Sequence, residues 1–143
     1  MAAQREIKFR AWDGEQMFYP ENHTHISIFQ GKGRIPWGLY ANMGGSRITD
    51  GQYGGALMQF TGLLDKNGKE IYEGDRVRLN LSMGGTVTGE VVMRDGCYTV
   101  RLDEPIKDPD GYLRKSDYVK VYVGNHAIAV IGNIHEHPET LTP

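Results

Sequence analysis

Two His-X-His pairs, His23-Thr24-His25 and His135-Glu136-His137, are the groups in this chain best spaced to hold a cation. On a strand, residues two apart project from the same face, so either pair could supply two imidazoles to one ion. Zinc needs three or four ligands, and neither pair has a third beside it in sequence. The stretch Asp65-Lys66-Asn67-Gly68-Lys69-Glu70 has the opening rhythm of a calcium loop. It lacks the third alternating acidic ligand and the distal bidentate glutamate of a twelve-residue loop, so it reads as a tight turn at Asn67-Gly68. The expectation is no metal site and no cofactor.

Catalytic constellations are equally incomplete. Glu70, Glu73 and Asp75 are close in sequence, but general acid–base work needs carboxylates in unlike environments, and nothing local predicts burial for any of them. Cys97 is the single cysteine, which excludes an internal disulfide and a thiolate cage, and no adjacent base marks it as a nucleophile. There is no GxSxG elbow and no HExxH helix. The residues point away from an enzyme, with a metal-dependent hydrolase as the remotest reading.

Binding chemistry is better represented. Arg76, Arg78, Arg94 and Arg101 fall on neighbouring strand-like runs with Tyr98 or Tyr118 nearby, an arrangement that could neutralise and stack a nucleic-acid strand. Glu70, Glu73, Asp75, Glu90, Asp95 and Asp103 occupy the same span and dilute that charge. With 16 Lys and Arg against 18 Asp and Glu, the formal net charge is −2, which argues against broad phosphate-driven binding. Arg10, Trp12 and Trp37 are the residues nearer the start that suit a protein interface, where aromatics and arginine carry much of the energy.

These side chains must be positioned by strands. Ile7, Phe9 and Ala11 alternate with Lys8, Arg10 and Trp12 before Asp13-Gly14, which predicts a hairpin over 6–19 closed by a tight primed turn. "HISIF" and "RIPWGLY" read as short strands, whereas residues 31–55 are glycine-rich and read as irregular, without the spacing of a phosphate-binding loop. A short strand ends near Phe60. Beyond it, "DRVRLNLS", "GEVVMRDGCYTVRL" and "DYVKVYVGNHAIAVIGNI" alternate with period two, broken at Asp95-Gly96 and Gly124-Asn125. Gly74-Asp75 supplies the bend that launches this series, and "LDEPIKDPDGYLRKSD" reads as a long exposed loop.

The expected architecture is mainly β with little helix: an N-terminal hairpin lobe over 1–60, containing the glycine-rich segment 31–55, then an SH3-like small barrel with a C-terminal tail over 61–143. The opening "MAAQREIKFRAW" lacks the apolar run of an export signal, and no segment approaches the roughly 20 apolar residues of a membrane span. A cytoplasmic protein without a membrane partner is expected.

Three blocks, "REIKFRAWDGEQMFY", "LMQFTGLLDKNGKEIYEGDRV" and "VIGNIHEHPETL", taken in this order, strongly resemble the YopX family of small phage and prophage proteins. The resemblance implies a cytoplasmic, β-rich protein with an SH3-like barrel in its second part and a tendency to self-associate. It supplies no catalytic residues to carry over. The family's closing block often has an aromatic residue and an asparagine where this chain has His135 and His137, which weakens a metal site as a shared property. The functional expectation is a non-enzymatic accessory protein that binds a host or phage protein, with nucleic-acid binding through the arginine-bearing strands as the alternative.

Overall fold

The computed structural model describes residues 6–19, 26–30, 37–41, 47–49, 56–81, 84–105, 118–120 and 127–137. All regular structure among them is β: β1 (Phe9–Trp12), β2 (Met17–Phe18), β3 (Ile26–Gln30), β4 (Trp37–Ala41), β5 (Arg47–Thr49), β6 (Ala56–Leu64), β7 (Glu70–Tyr72), β8 (Asp75–Asn80), β9 (Thr86–Arg94), β10 (Cys97–Leu102), β11 (Tyr118–Lys120) and β12 (Ile128–Asn133). Among the described residues no helix is long and apolar enough to cross a membrane. The chain divides into two compact units, Met1–Phe60 and Thr61–Pro143.

In the first unit β1 lies between β2 and the first half of β6, antiparallel to both, with Ala11 opposite Phe18 and Leu57. Ala11, Phe18, Met58 and Phe60 are buried. The predicted hairpin is present, but its connection is not a two-residue primed turn. Four residues, Asp13 to Gln16, join the strands; the Asp13 amide donates to the Gln16 carbonyl, and Asp13 Oδ1 accepts the amides of Glu15 and Gln16, both at 2.8 Å. Only Gly14 takes a positive φ there, +106°, because the aspartate side chain rather than a second left-handed residue satisfies the turn. A separate antiparallel sheet has the order β3-β4-β5. Arg47–Thr49 therefore pairs as a strand inside a segment expected to be irregular, since its ladder partner β4 overrides the local glycine content. The loops expected between these strands lie outside the described residues, as do the Gly124-Asn125 turn, most of the loop after Leu102 and the C-terminal tail.

The second unit carries a five-stranded antiparallel sheet of order β11-β10-β9-β8-β12. Four successive strands, β8 to β11, form a meander and β12 returns beside β8, which is the strand order of an SH3-like barrel. Alternation builds the core directly: Val77 and Leu79 on β8, Val91 on β9, Val100 and Leu102 on β10 and Ile128 on β12 cluster with Ile71 of β7. Asp95 and Gly96, at φ +51° and +77°, make the primed turn that pairs Arg94 with Cys97, as expected from Asp-Gly. Gly89 sits where β9 runs close against β10. A Cβ at Gly89 would stand 2.4 Å from the Arg101 carbonyl oxygen and 2.6 Å from Val100 Cγ1, so only glycine permits this approach.

The stretch from Met58 to Leu79 is organised differently from the sequence reading at one point. β6 does not end near Phe60 but runs on to Leu64, passing through Gly62 at φ +87°. Thr61 makes that possible, its hydroxyl donating to the Ile71 carbonyl at 2.8 Å and accepting the Leu63 amide at 3.2 Å. The turn at Asn67-Gly68 and the bend at Gly74-Asp75 are where they were expected, with Gly68 at φ +81° and Gly74 at φ +80°. Gly74 is tied on both sides: its amide donates to the Val91 carbonyl and its carbonyl accepts the Ile134 amide.

Candidate functional site

Strand alternation puts Arg76 and Arg78 of β8, Glu90 and Arg94 of β9, and Cys97 and Arg101 of β10 on the side of the sheet opposite the apolar core. Register aligns Arg76 with Glu90 and Glu90 with Arg101, so one row across three strands reads positive, negative, positive. Arg101 Nη2 donates to Glu90 Oε2 at 2.6 Å. Arg94 pairs with its turn neighbour Asp95 at 3.5 Å, and Arg78 is exposed.

Arg76 departs from the expected exposed strip, being only 2% exposed. Its guanidinium is held by Asp103, Nη1 donating to Oδ1 at 2.9 Å and Nη2 donating to Oδ2. This fork-to-carboxylate geometry directs both charges at once. Thr88 adds a third donor, its hydroxyl reaching Asp103 Oδ2 at 2.5 Å, while the Asp103 amide donates to the Thr88 carbonyl. Burial alone would raise the Asp103 carboxyl, but the hydrogen bonds of Arg76 and Thr88, with the positive charges of Arg76 and Arg101, hold it below the usual carboxylate value. Asp103 is thus a fixed anion at neutral pH. Beside it, Thr86, Val87, Thr88 and Glu104 complete the lining of a hollow of about 210 Å³. The arrangement offers hydroxyls and a carboxylate for polar recognition and a strand face of alternating charge.

The remaining sequence-derived candidates do not join this group. Arg10 and Trp12 lie on β1 of the first unit, where Arg10 is 3% exposed with its guanidinium carbon 5.9 Å from the Tyr19 ring centroid. Trp37 opens β4 in that same unit. Burial of Arg10 and Arg76 is the principal departure from the expected surface roles. It was not legible because a lone strand shows which face a residue takes, not what covers it. Glu90, Thr88 and Asp103 are the side chains of this polar group that sequence reasoning undervalued; the signal was their acidic or hydroxyl character on, or just after, strands flanking the arginines.

Other chemistry-bearing residues are consumed by the fold. Asp75, for which burial was not expected, is 1% exposed because its carboxylate accepts the Tyr72 amide at 2.7 Å. Cys97 is exposed. Asn133 organises the His135-Glu136-His137 segment: its Oδ1 accepts the amides of His135 and Glu136, at 3.0 and 2.8 Å, and its Nδ2 donates to Glu136. His137 turns back, its Nδ1 accepting the Asn133 amide at 3.2 Å. Among the described residues no group of three or more His, Cys, Asp or Glu could hold a metal ion. His23 and His25 lie outside them.

The crystal structure of protein yopX from Bacillus subtilis shares this fold at a TM-score of 0.63 and 24% identity, the match covering 96% of this chain and 98% of that one. Protein EF1440 from Enterococcus faecalis matches at a TM-score of 0.55 and 27% identity, over 96% of this chain and 99% of its own. No curated protein matches the chain. The family model described as YopX protein matches residues 8–142, nearly the whole sequence, and the chain therefore belongs to the YopX family.

Proposed function

We propose that the chain is a non-enzymatic accessory protein of a phage or prophage, working in the cytoplasm as a binding module for a host or phage protein. The observation that carries this reading is the pairing of the arginine face. Arg76 is committed to Asp103, Arg101 to Glu90 and Arg94 to Asp95. A phosphate backbone is attracted by uncompensated positive charge, and these carboxylates remove much of it. A mosaic of opposite charges instead suits a protein surface of complementary pattern, where charge sets specificity and association rate.

Capture from lysate of infected cells, with the retained protein identified and its binding repeated with purified components, tests this reading. Charge reversal at Arg78 and Arg101 is expected to weaken the complex; a purified pair indifferent to both reversals would place the contact elsewhere. The second reading, nucleic-acid binding, draws on the exposure of Arg78, Arg94 and Arg101. It predicts affinity for a labelled single-stranded oligonucleotide that falls steeply with salt, and no binding at low salt would end it.

A further inference from the structure

Asn67 is the one asparagine in the sequence followed by glycine. An asparagine carboxamide is open to attack at Cγ by the backbone nitrogen of the next residue, and a bulky side chain on that residue hinders the approach. Gly68 has none, and a Cβ built there would meet nothing within 4 Å, so no neighbour crowds this side of the residue. Asn67 itself is exposed, as are Lys66 and Lys69 on either side of the pair. Two cations beside a nitrogen that must lose its proton before it attacks favour the charged form.

The turn works against the reaction. The Gly68 amide donates to the Asp65 carbonyl at 3.0 Å, which occupies the nucleophile. Asp65 Oδ1 accepts the amides of Asn67 and Lys69, at 2.8 and 2.9 Å, and the Asp65 amide donates to the Lys69 carbonyl at 2.7 Å. Together these bonds fix the peptides on both sides of the side chain that would have to swing onto one of them. Asp65 is buried, and its other oxygen, Oδ2, accepts the Val130 amide of β12 at 2.8 Å, so the brace is anchored in the sheet. Its negative charge also opposes a second anion at Gly68.

We propose that Asn67 is a site of spontaneous deamidation and that Asp65, through this turn, sets its rate. The deprotonated Gly68 nitrogen bonds to Asn67 Cγ and closes a succinimide ring; the Cγ–Nδ2 bond breaks, and ammonia leaves with the proton that Gly68 gave up. Water then opens the ring at either carbonyl, leaving aspartate or isoaspartate, with no change of oxidation state. The aspartate product places a second carboxylate beside Asp65. The isoaspartate product carries the main chain through Cβ and Cγ, lengthened by a carbon between residue 67 and Gly68, so the span that closes Asp65 onto Lys69 no longer fits. Modification thus removes the brace that delayed it.

The test follows the purified chain in mildly alkaline buffer, folded or in guanidinium chloride, with the Asn67 peptide of each digest resolved by mass spectrometry into asparagine, aspartate and isoaspartate. In guanidinium, Asn67 should convert faster than every other asparagine of the chain. In the folded protein it should convert at least about tenfold more slowly, because attack waits on local opening of the turn. Both acids should form, as opening of a ring requires. A cooperatively folded Asp65→Ala variant should recover most of that tenfold. No preference for Asn67 in guanidinium, or aspartate as the sole product, would overturn the site. Equal rates in the folded and unfolded chain, or a folded Asp65→Ala variant with the wild-type rate, would overturn the control by Asp65. Should that variant fail to fold, Asp65→Asn, which keeps one acceptor oxygen but loses the charge and the tie to Val130, takes its place with the same expectation.

Discussion

Arg76 and Asp103, 27 residues apart in sequence, meet through two side-chain hydrogen bonds, and the arginine is thereby almost wholly removed from solvent. The pair ties the start of β8 to the segment just after β10. Thr88 on the intervening strand supports it, so the three strands share one polar anchor on the face away from the apolar core.

Removing one partner should cost far more than removing both. Asp103→Ala leaves the Arg76 guanidinium buried without its carboxylate, and the expected loss is about 3 kcal/mol, the low end for a broken buried pair because the Asp103 side chain retains 21% exposure. The double variant Arg76→Met, Asp103→Leu should recover most of that loss, since an apolar pair carries no desolvation penalty. Urea denaturation of the single and double variants checks this; equal losses would show the pair to be energetically idle.

Gly89→Ala should be the more damaging of two glycine substitutions. At Gly89 the new Cβ meets backbone and a buried valine, and about 3 kcal/mol is expected, the upper range for overpacking. At Gly96 a Cβ meets nothing within 4 Å, and the penalty is only that of a left-handed φ, about 1 kcal/mol. Denaturation midpoints that reverse this order would refute the close approach of β9 and β10.

Acid should unfold the second unit through two carboxylates. For Asp65, burial raises the pKa, but the amides of Val130, Lys69 and Asn67 and the charge of Lys69 outweigh it, so the folded value is lowered, as for Asp103. A lowered folded pKa means stability that is full above the unfolded value, about 3.9, and is lost as pH falls below it through the folded values. Melting temperature should therefore drop below about pH 4, and less steeply in Asp65→Asn. Identical slopes in wild type and variant would remove Asp65 from the account.

Zinc should not stabilise the chain through the His135-Glu136-His137 segment. His137 Nδ1 already accepts the Asn133 amide, which puts the imidazole proton on Nε2 in the neutral ring and leaves neither nitrogen ready to coordinate. Asn133→Ala, by contrast, should destabilise by about 1–2 kcal/mol, since it leaves the amides of His135 and Glu136 without their acceptor. A rise in melting temperature with added zinc that is lost in His137→Ala would contradict this role for the segment, because a ligand that binds only the folded state must stabilise it.

Period-two alternation by itself determined β8, β9, β10 and β12 and their apolar face, because in a strand the side of the sheet is a strictly local property. Asp95-Gly96, Asn67-Gly68 and Gly74-Asp75 were legible for a similar reason: positive φ is a demand on single residues that glycine and aspartate meet. Only the tertiary structure decided what each polar group would do. Whether Arg76 is a surface charge depends on Asp103, and whether Asp65 only shapes its turn or also ties it to β12 depends on Val130, 65 positions away. The same holds for β6, which passes beyond Phe60 because Thr61 finds the Ile71 carbonyl. Hydrogen bonds and ion pairs between distant segments choose one partner among many of the same chemical type, and that choice is made by the packing of strands rather than by the pattern of any one of them.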